Sequence, residues 1–359
     1  MQLRILSIGT DVSVLDKNSD VSKRLVSYAN LVEQYTVLVP YTKKKRLDLA
    51  KNITIFGSGG KNKIMQFFTL FRLAKKILKE GKYGVITTQD PFFTGLLGVL
   101  LGKKQGIGVE VQVHGWNKET FFRNALRNWT IRHANGVRVV SSRMKQKVQD
   151  LGVIVQKITV VPIYTDVQIQ KDRTKKIVPG KRRFITVSRL VPVKNIALQL
   201  QAFAELDKTL DWSLDIVGDG SEKGILEKKV KELGLEERVS FLGWYDSEEL
   251  VRVYNSADCL LLTSNSEGWG RVVIEAGSYG VPTIMTDVGL AGEVVKNEES
   301  GIIIPVGDVS ALRNAIEKVI IDPNYPQKLS AGIVEAIKDL PKKKEVLAKY
   351  LDGWKNAVL

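Results

Sequence analysis

Residues 257–286 read ADCLLLTSNSEGWGRVVIEAGSYGVPTIMT. The apolar run Asp258–Thr263 has the length and composition of a buried strand, and a polar loop follows it. A helix is expected over Gly270–Gly280, with a glycine at its exit and a further strand at Pro282–Met285. Glu267 falls in the loop and Glu275 about one and a half turns into the helix, so both can face the same cleft. Gly268 and Gly270 keep the backbone amides there open to an anion. As paired carboxylates the two glutamates suit glycoside hydrolysis by acid and nucleophile. As plain structure they are a helix cap and a solvated side chain. Neither reading accounts together for the glycines, the Val272–Val273–Ile274 run and the Gly280–Val281–Pro282 exit.

The same alternation runs outward in both directions. Upstream in this half, strands are expected at Phe184–Val187, Ser213–Val217 and Val239–Leu242, with helices at Asn195–Ala204 and Ser221–Leu233; downstream, a strand at Ile302–Ile304. In the first half, strands are expected at Arg4–Ile8, Thr36–Val39, Ile53–Phe56, Gly84–Thr88, Gly108–Val113, Gly136–Val140 and Ile158–Val161. Helices are expected there at Asn62–Glu80 and Phe93–Gly102. Strands alternating with helices predict parallel sheets covered on both faces. The polar stretch Thr165–Arg182 has no hydrophobic period and reads as a linker. The expected fold class is therefore α/β, with two doubly wound Rossmann-like domains over 1–165 and 182–340, a linker at 166–181, and a final helical segment at 341–359. Facing domains of this kind would hold a ligand in the cleft between them, at the carboxyl ends of their strands.

Three further segments of the second half carry candidate chemistry. In ITVSRLVPVKN, Arg189 and Lys194 fall at the end of a strand beside a helix start, a placement that suits a diphosphate. In DIVGDGSEKG, Gly218, Gly220 and Gly224 approach a dinucleotide fingerprint. The spacing is one residue off, and no acidic residue ends the next strand, so a nicotinamide cofactor is rejected. In FLGWYDSEEL, Gly243 and Trp244 follow a strand.

Together these residues resemble the retaining glycosyltransferases of the GT-B fold, specifically family 4. The Glu267–Glu275 spacing, the SRLVPVKN cations, the IVGDG turn, the FLGWYDSEEL stretch and the segment Gly301–Asp308 all match, in order, across Phe184–Ile320. The first half is similar to the family's acceptor domain in ITTQDPFFTGLLGVLLGKK, VEVQVHGW and VRVVSSRMKQKVQDLGV. It departs where many members carry a glycine-rich loop after the first strand: here GTDVSVLDKNSDVSKR keeps only Gly9. The resemblance implies that Arg189 and Lys194 neutralise the diphosphate, that Glu267 binds hydroxyls of the donor sugar, and that Glu275 binds both ribose hydroxyls. Gly9, Gly218, Gly220, Ser264, Gly268, Trp269, Gly270 and Arg271 would line the donor, Gly243 and Trp244 would border the base, and His114 would sit beside the reacting sugar. It further implies transfer of a hexosyl unit from a UDP- or GDP-sugar with retention at the anomeric carbon. Two histidines and one cysteine make no ligand cluster and there is no D-x-D after a strand, so no metal and no cofactor are expected.

Charge separates the halves. Of the net +15, residues 1–165 carry +17 and the rest −2. Clusters at Lys43–Arg46, at Lys75, Lys76, Lys79 and Lys82, and at Arg123, Arg127 and Arg132 accompany bulky apolar residues in IMQFFTLFRLAKKILKEGK and KETFFRNALRNWTIRH. The expectation is a lipid-linked or glycan acceptor met at an anionic membrane surface, in cell-surface polysaccharide or glycolipid assembly. A cytoplasmic protein held at the inner membrane face is expected, since the longest apolar stretch is half a bilayer span and the N-terminus reads as a strand. Nucleic acid is excluded as a partner, because no recognised binding motif accompanies the charge. The competing readings are an inactive sugar-nucleotide-binding protein and a nucleotide-sugar epimerase of similar fold.

Overall fold

The computed structural model describes residues 3–116, 119–169 and 180–359. Most of the expected linker, 170–179, lies outside those residues, as do Asn117 and Lys118 in the second basic segment. The chain divides into two compact units, one of Met1–Tyr164 with Pro341–Leu359, the other of Thr165–Leu340.

The first unit is built on eight strands: β1 (Arg4–Ile8), β2 (Gln34–Val39), β3 (Lys44–Ala50), β4 (Ile53–Ser58), β5 (Val85–Thr88), β6 (Gly108–Val113), β7 (Gly136–Val139) and β8 (Ile158–Val160). Their order across the sheet is β3-β4-β2-β1-β5-β6-β7-β8. Helices α1 (Asp20–Ala29), α2 (Lys63–Glu80), α3 (Phe93–Gln105), α4 (Phe121–His133) and α5 (Ser142–Gln149) connect them. Every residue of β5, β6 and β7 is buried, as expected of parallel strands covered on both faces. The exception is β3, which pairs antiparallel with β4 and is largely exposed. It contains most of the Lys43–Arg46 cluster, where a run of charges leaves no alternation to reveal a strand. Lysines along a sheet edge oppose pairing with another chain.

The second unit holds β9 (Arg182–Val187), β10 (Trp212–Val217), β11 (Val239–Gly243), β12 (Cys259–Leu262), β13 (Thr283–Thr286) and β14 (Gly301–Ile304), all parallel, in the order β11-β10-β9-β12-β13-β14. Helices α6 (Ile196–Ala204), α7 (Lys223–Glu232), α8 (Ser247–Ser256), α9 (Arg271–Ser278), α10 (Val309–Ile321) and α11 (Tyr325–Lys338) cover it. Its core includes Phe184, Phe203 and Trp212, with ring centroids 5.2 Å and 4.3 Å apart along the series. Each such ring pair contributes about 0.5–1.5 kcal/mol beyond the area it buries. The last helix, α12 (Lys343–Asn356), belongs to the first unit, where Trp354 and Ala357 are sealed in the core.

Both sheets reverse direction of growth at one point, between β1 and β5 and between β9 and β12. In open α/β sheets the loops that leave the two strands at such a point diverge and open a crevice at their carboxyl ends. Gly9 leaves β1 at the first reversal, packed against Gln89 at the end of β5. The loops after β9 and β12 flank the second.

Candidate functional site

The loops after β9 and β12 carry Arg189 and Lys194, and Ser264 and Glu267, respectively. Thr186, at the base of the β9 loop, donates to Gln199 Oε1 at 2.6 Å, and Gln199 Nε2 donates to Thr263 Oγ1 at 2.8 Å. Thr263 in turn donates toward the Lys194 and Asn195 carbonyls, and Asn265 N donates to Val193 O at 2.8 Å. The two loops are thereby tied together from buried side chains upward. Asn195 takes a left-handed backbone, φ 47°, to turn the chain from Lys194 into α6. Asparagine is among the few residues that accept this conformation readily.

Lys194 Nζ is hydrogen-bonded to Glu267 Oε1 as an ion pair, with both side chains largely withdrawn from solvent. Ser264 Oγ donates to the same oxygen at 2.7 Å. Arg189 lies earlier in the same loop after β9 and is exposed. One cation is thus held in place and one is exposed on the same loop.

Glu275 lies in α9 with Arg271 Nη2 3.1 Å from its Oε1 and the Tyr254 hydroxyl 3.5 Å from its Oε2. Burial, and then the Glu275 charge, raise the Tyr254 pKa, so this phenol stays protonated and remains a donor. Arg271 is about half exposed, and such a surface pair holds weakly enough for its arginine to swing aside. Both carboxylate oxygens can then accept from a diol.

The glycines serve the loops in different ways. A Cβ on Gly218 would lie 1.8 Å from Ser188 O, and one on Gly220 2.3 Å from Leu190 O. Their close approach is to the Arg189 loop, which Leu190 N and Glu222 N then clasp through Asp219 O and Leu190 O. Gly270 caps α9 with φ 105°. Gly243 ends β11 in open space, and Trp244 beyond it is 73% exposed. Trp269 is buried instead, and its indole Nε1 has no hydrogen-bond partner among the described residues.

The loop after β13 joins the site although no motif in the sequence points to it. Leu290 N donates to Trp269 O at 2.9 Å, and a Cβ on Gly289 would stand 2.4 Å from that same oxygen and 3.0 Å from Glu267 Cβ. This loop therefore backs Glu267–Trp269. Its only sequence signal is the dipeptide Gly289–Leu290 after a strand, and a lone glycine at that place serves ordinary turns equally well. Tyr254 and Tyr279, stacked at 5.6 Å beside Glu275, carry no signal in the sequence either.

His114 belongs to the first unit, one residue past β6, with Nε2 2.9 Å from Gln112 Oε1. The mass of protein around it, then the Arg138 and Arg24 charges, hold its pKa well below the usual 6.5. The residue is nevertheless exposed to solvent, which weakens that shift. Among the described residues no group of His, Cys, Asp or Glu has the arrangement of a metal site.

Sequence comparison matches residues 168–343 to the family described as Glycosyl transferases group 1, and residues 34–168 to Glycosyltransferase Family 4. The N-acetyl-alpha-D-glucosaminyl L-malate synthase of Bacillus anthracis is 29% identical over 48% of this chain and 44% of its own length. The UDP-Gal:alpha-D-GlcNAc-diphosphoundecaprenol alpha-1,3-galactosyltransferase of Escherichia coli is 28% identical over 74% of this chain and 76% of its own. The chain spans about half the length of the first of these relatives. The apo form of the lipopolysaccharide outer core galactosyltransferase WaaB shares the fold, with TM-score 0.71, 22% identity, and 98% and 99% of the two chains covered.

Proposed function

We propose that this chain, which belongs to the group 1 glycosyl transferases of family 4, moves a hexosyl unit from a nucleotide-diphospho-sugar to a lipid-linked acceptor in cell-surface glycan assembly. The observation that carries the proposal is the Lys194–Glu267–Ser264 cluster at the reversal point of the second sheet, with Arg189 exposed on the same loop as Lys194. In the reaction the bond from the anomeric carbon to the β-phosphate oxygen breaks, and its electron pair leaves with the nucleoside diphosphate. Negative charge therefore grows on the diphosphate. Lys194, fixed in place beforehand, and Arg189 on the same loop stabilise that charge where it appears, the term that lowers such barriers most. The acceptor hydroxyl forms the new bond to the anomeric carbon with net retention, and its proton leaves with the departing phosphate or to solvent. The two cations fill the charge-neutralising role, so no metal is assigned one.

Glu267, oriented by Lys194 and Ser264, accepts from hydroxyls of the donor sugar. Glu275 accepts from the ribose diol once Arg271 gives way. For His114 the family resemblance supports a role toward the reacting sugar. A UDP-sugar is the favoured donor and a diphosphate-linked lipid the favoured acceptor, on the strength of the relative that matches most of the chain and is named for both.

Contact with an anionic membrane is supported by the first unit. On α2, Leu70, Ala74 and Leu78 face the core, so the helix as a whole is committed to packing. Its first turns nevertheless expose Ile64, Met65 and Phe68, and the start of α4 exposes Phe121 and Phe122, each more than 80%. Phe67 packs on Phe93 at 5.1 Å and Arg123 lies over Phe92 at 4.3 Å, which joins the starts of α2, α3 and α4 into one edge. Lys61 just before α2, and Lys63 and Arg72 on it, are exposed. Arg127, also counted with the basic residues, is buried over Trp116 and takes no part. No helix among the described residues is long and apolar enough to cross a membrane.

The test is calorimetric titration with UDP, GDP and ADP. UDP is expected to bind, with affinity reduced by replacing Arg189 and Lys194 together with alanine. Binding of none of the three to the folded protein would overturn the proposal.

A further inference from the structure

We propose that Glu110 is a positioning residue: acting through Thr87 and Gln112, it fixes His114 as the Nε2–H tautomer and leaves Nδ1 as a bare acceptor for a substrate hydroxyl. The use of that acceptor rests on the reading that His114 faces the reacting sugar; the relay itself does not.

Glu110, Gln112 and His114 are spaced by two residues, so they share one face of β6 and its continuation. Glu110 is 1% exposed, and its Oε2 lies 2.6 Å from Thr87 Oγ1 on the neighbouring strand β5. A carboxylate only accepts, so the threonine hydroxyl donates to it. With its proton committed, Thr87 Oγ1 can only accept from Gln112, which lies 2.9 Å away. Gln112 therefore turns its NH2 toward Thr87 and its Oε1 toward His114. The amide orientation follows from the bonding and needs no resolution of oxygen from nitrogen. Because Oε1 carries no hydrogen, the 2.9 Å contact requires the proton on His114 Nε2. A neutral imidazole has one proton, and Nδ1 is left with its lone pair.

The far end of the chain is held by charge alone: Glu110 Oε1 and Arg138 Nε have no hydrogen-bond partner among the described residues. Arg138 on β7, 4% exposed, brings Nε to 3.6 Å from Glu110 Oε2, which keeps a charged acceptor in the interior. Its guanidinium lies over the Tyr350 ring at 3.9 Å, and Tyr350 comes from α12. Thr87 supplies the hydrogen bond that any buried carboxylate needs; a packing role alone does not account for the continuation through Gln112 to a side chain that reaches solvent. Turning Gln112 over in the interior would set its carbonyl oxygen against a Thr87 hydroxyl already committed to Glu110, so the run from Thr87 to His114 is held in one direction.

The chain has two histidines, and they make opposite bonds. His133 Nδ1 lies 2.8 Å from Trp129 O, a carbonyl that only accepts, so His133 is protonated on Nδ1. Long-range proton–nitrogen correlation spectra of the full chain labelled with 15N-histidine would therefore show both tautomers, with His133→Gln supplying the assignment. The relay predicts Nε2–H for His114 in the wild type. It predicts a second, Nδ1–H species in Thr87→Val, where Gln112 is free to turn over, and in Glu110→Gln, where the chain of donors can reverse. Thr87→Val keeps the Glu110–Arg138 pair, so it decides the matter even if Glu110→Gln does not fold. An Nδ1–H wild type, or a His114 spectrum unchanged in Thr87→Val, would overturn the relay. Turnover in Thr87→Val should fall while UDP binding is retained. A mixed tautomer with unchanged turnover would overturn the placement of His114 at the sugar and leave the relay standing.

Discussion

Lys194 and Glu267, 73 residues apart in sequence, are joined as a hydrogen-bonded ion pair at the carboxyl ends of two adjacent strands. The pair is mostly withdrawn from water, so each partner determines where the other stands. Replacing Lys194 with alanine removes a cation from the diphosphate and leaves Glu267 with Ser264 as its remaining partner. We expect turnover to fall by about 100- to 1,000-fold, the usual cost of losing one preorganised charge-stabilising group. Steady-state kinetics with a UDP-sugar checks it; a loss of less than about tenfold would show that Lys194 acts mainly as structure.

Glu275 is occupied on one oxygen by Arg271 and approached on the other by Tyr254. Its proposed task is the ribose diol, so the wild type should prefer UDP to 2′-deoxy-UDP by about tenfold, the worth of one hydrogen bond to a charged group. In Glu275→Ala that preference should vanish. Titration of both nucleotides into both proteins tests the assignment, and equal discrimination by the variant would remove it.

The fold is legible in the sequence because its strands are apolar runs closed by glycine or proline turns, as at Cys259–Leu262 and Thr283–Thr286. Lys44–Ala50 is not, since an exposed, charged edge strand has no buried face to leave a pattern. In the site, residues that bring their own chemistry, such as Glu267 and Lys194, can be named from sequence. Residues that act by contact cannot. Gly289 matters because Trp269 O lies against it, and Glu110 because Thr87 and Gln112 pass its influence on; both facts depend on neighbours far away in sequence.

The pKa of His114 is held below its ordinary value, first by the surrounding protein and then by Arg138 and Arg24. A depressed histidine pKa means that the unfolded chain binds the proton more readily than the folded one. The group therefore weakens the fold as pH drops below 6.5 toward the folded pKa, and has no such effect above 6.5. Turnover should accordingly show no inflection near 6.5 from this residue. A pH–rate profile with a step at that ordinary value that disappears in His114→Gln would contradict this.

Phe121 and Phe122 are the most exposed aromatic side chains of the first unit. Changing both to aspartate should reduce co-sedimentation with vesicles of anionic phospholipid by at least about tenfold, because two buried rings and their surrounding attraction are lost together. The melting temperature should change little, since neither ring belongs to the core. Unaltered vesicle binding would place the membrane contact elsewhere or abolish it.

The most direct measurement is transfer itself: the purified full chain incubated with UDP-hexoses and a diphosphate-linked polyprenyl sugar in anionic vesicles, with UDP and extended lipid quantified together. One UDP should be released for each sugar added to the lipid, with an α-linked product from an α-linked donor, and both signals should be lost in Lys194→Ala. UDP-sugar binding with neither UDP release nor lipid extension, across nucleotide sugars and acceptors, would contradict it and identify a binding protein instead.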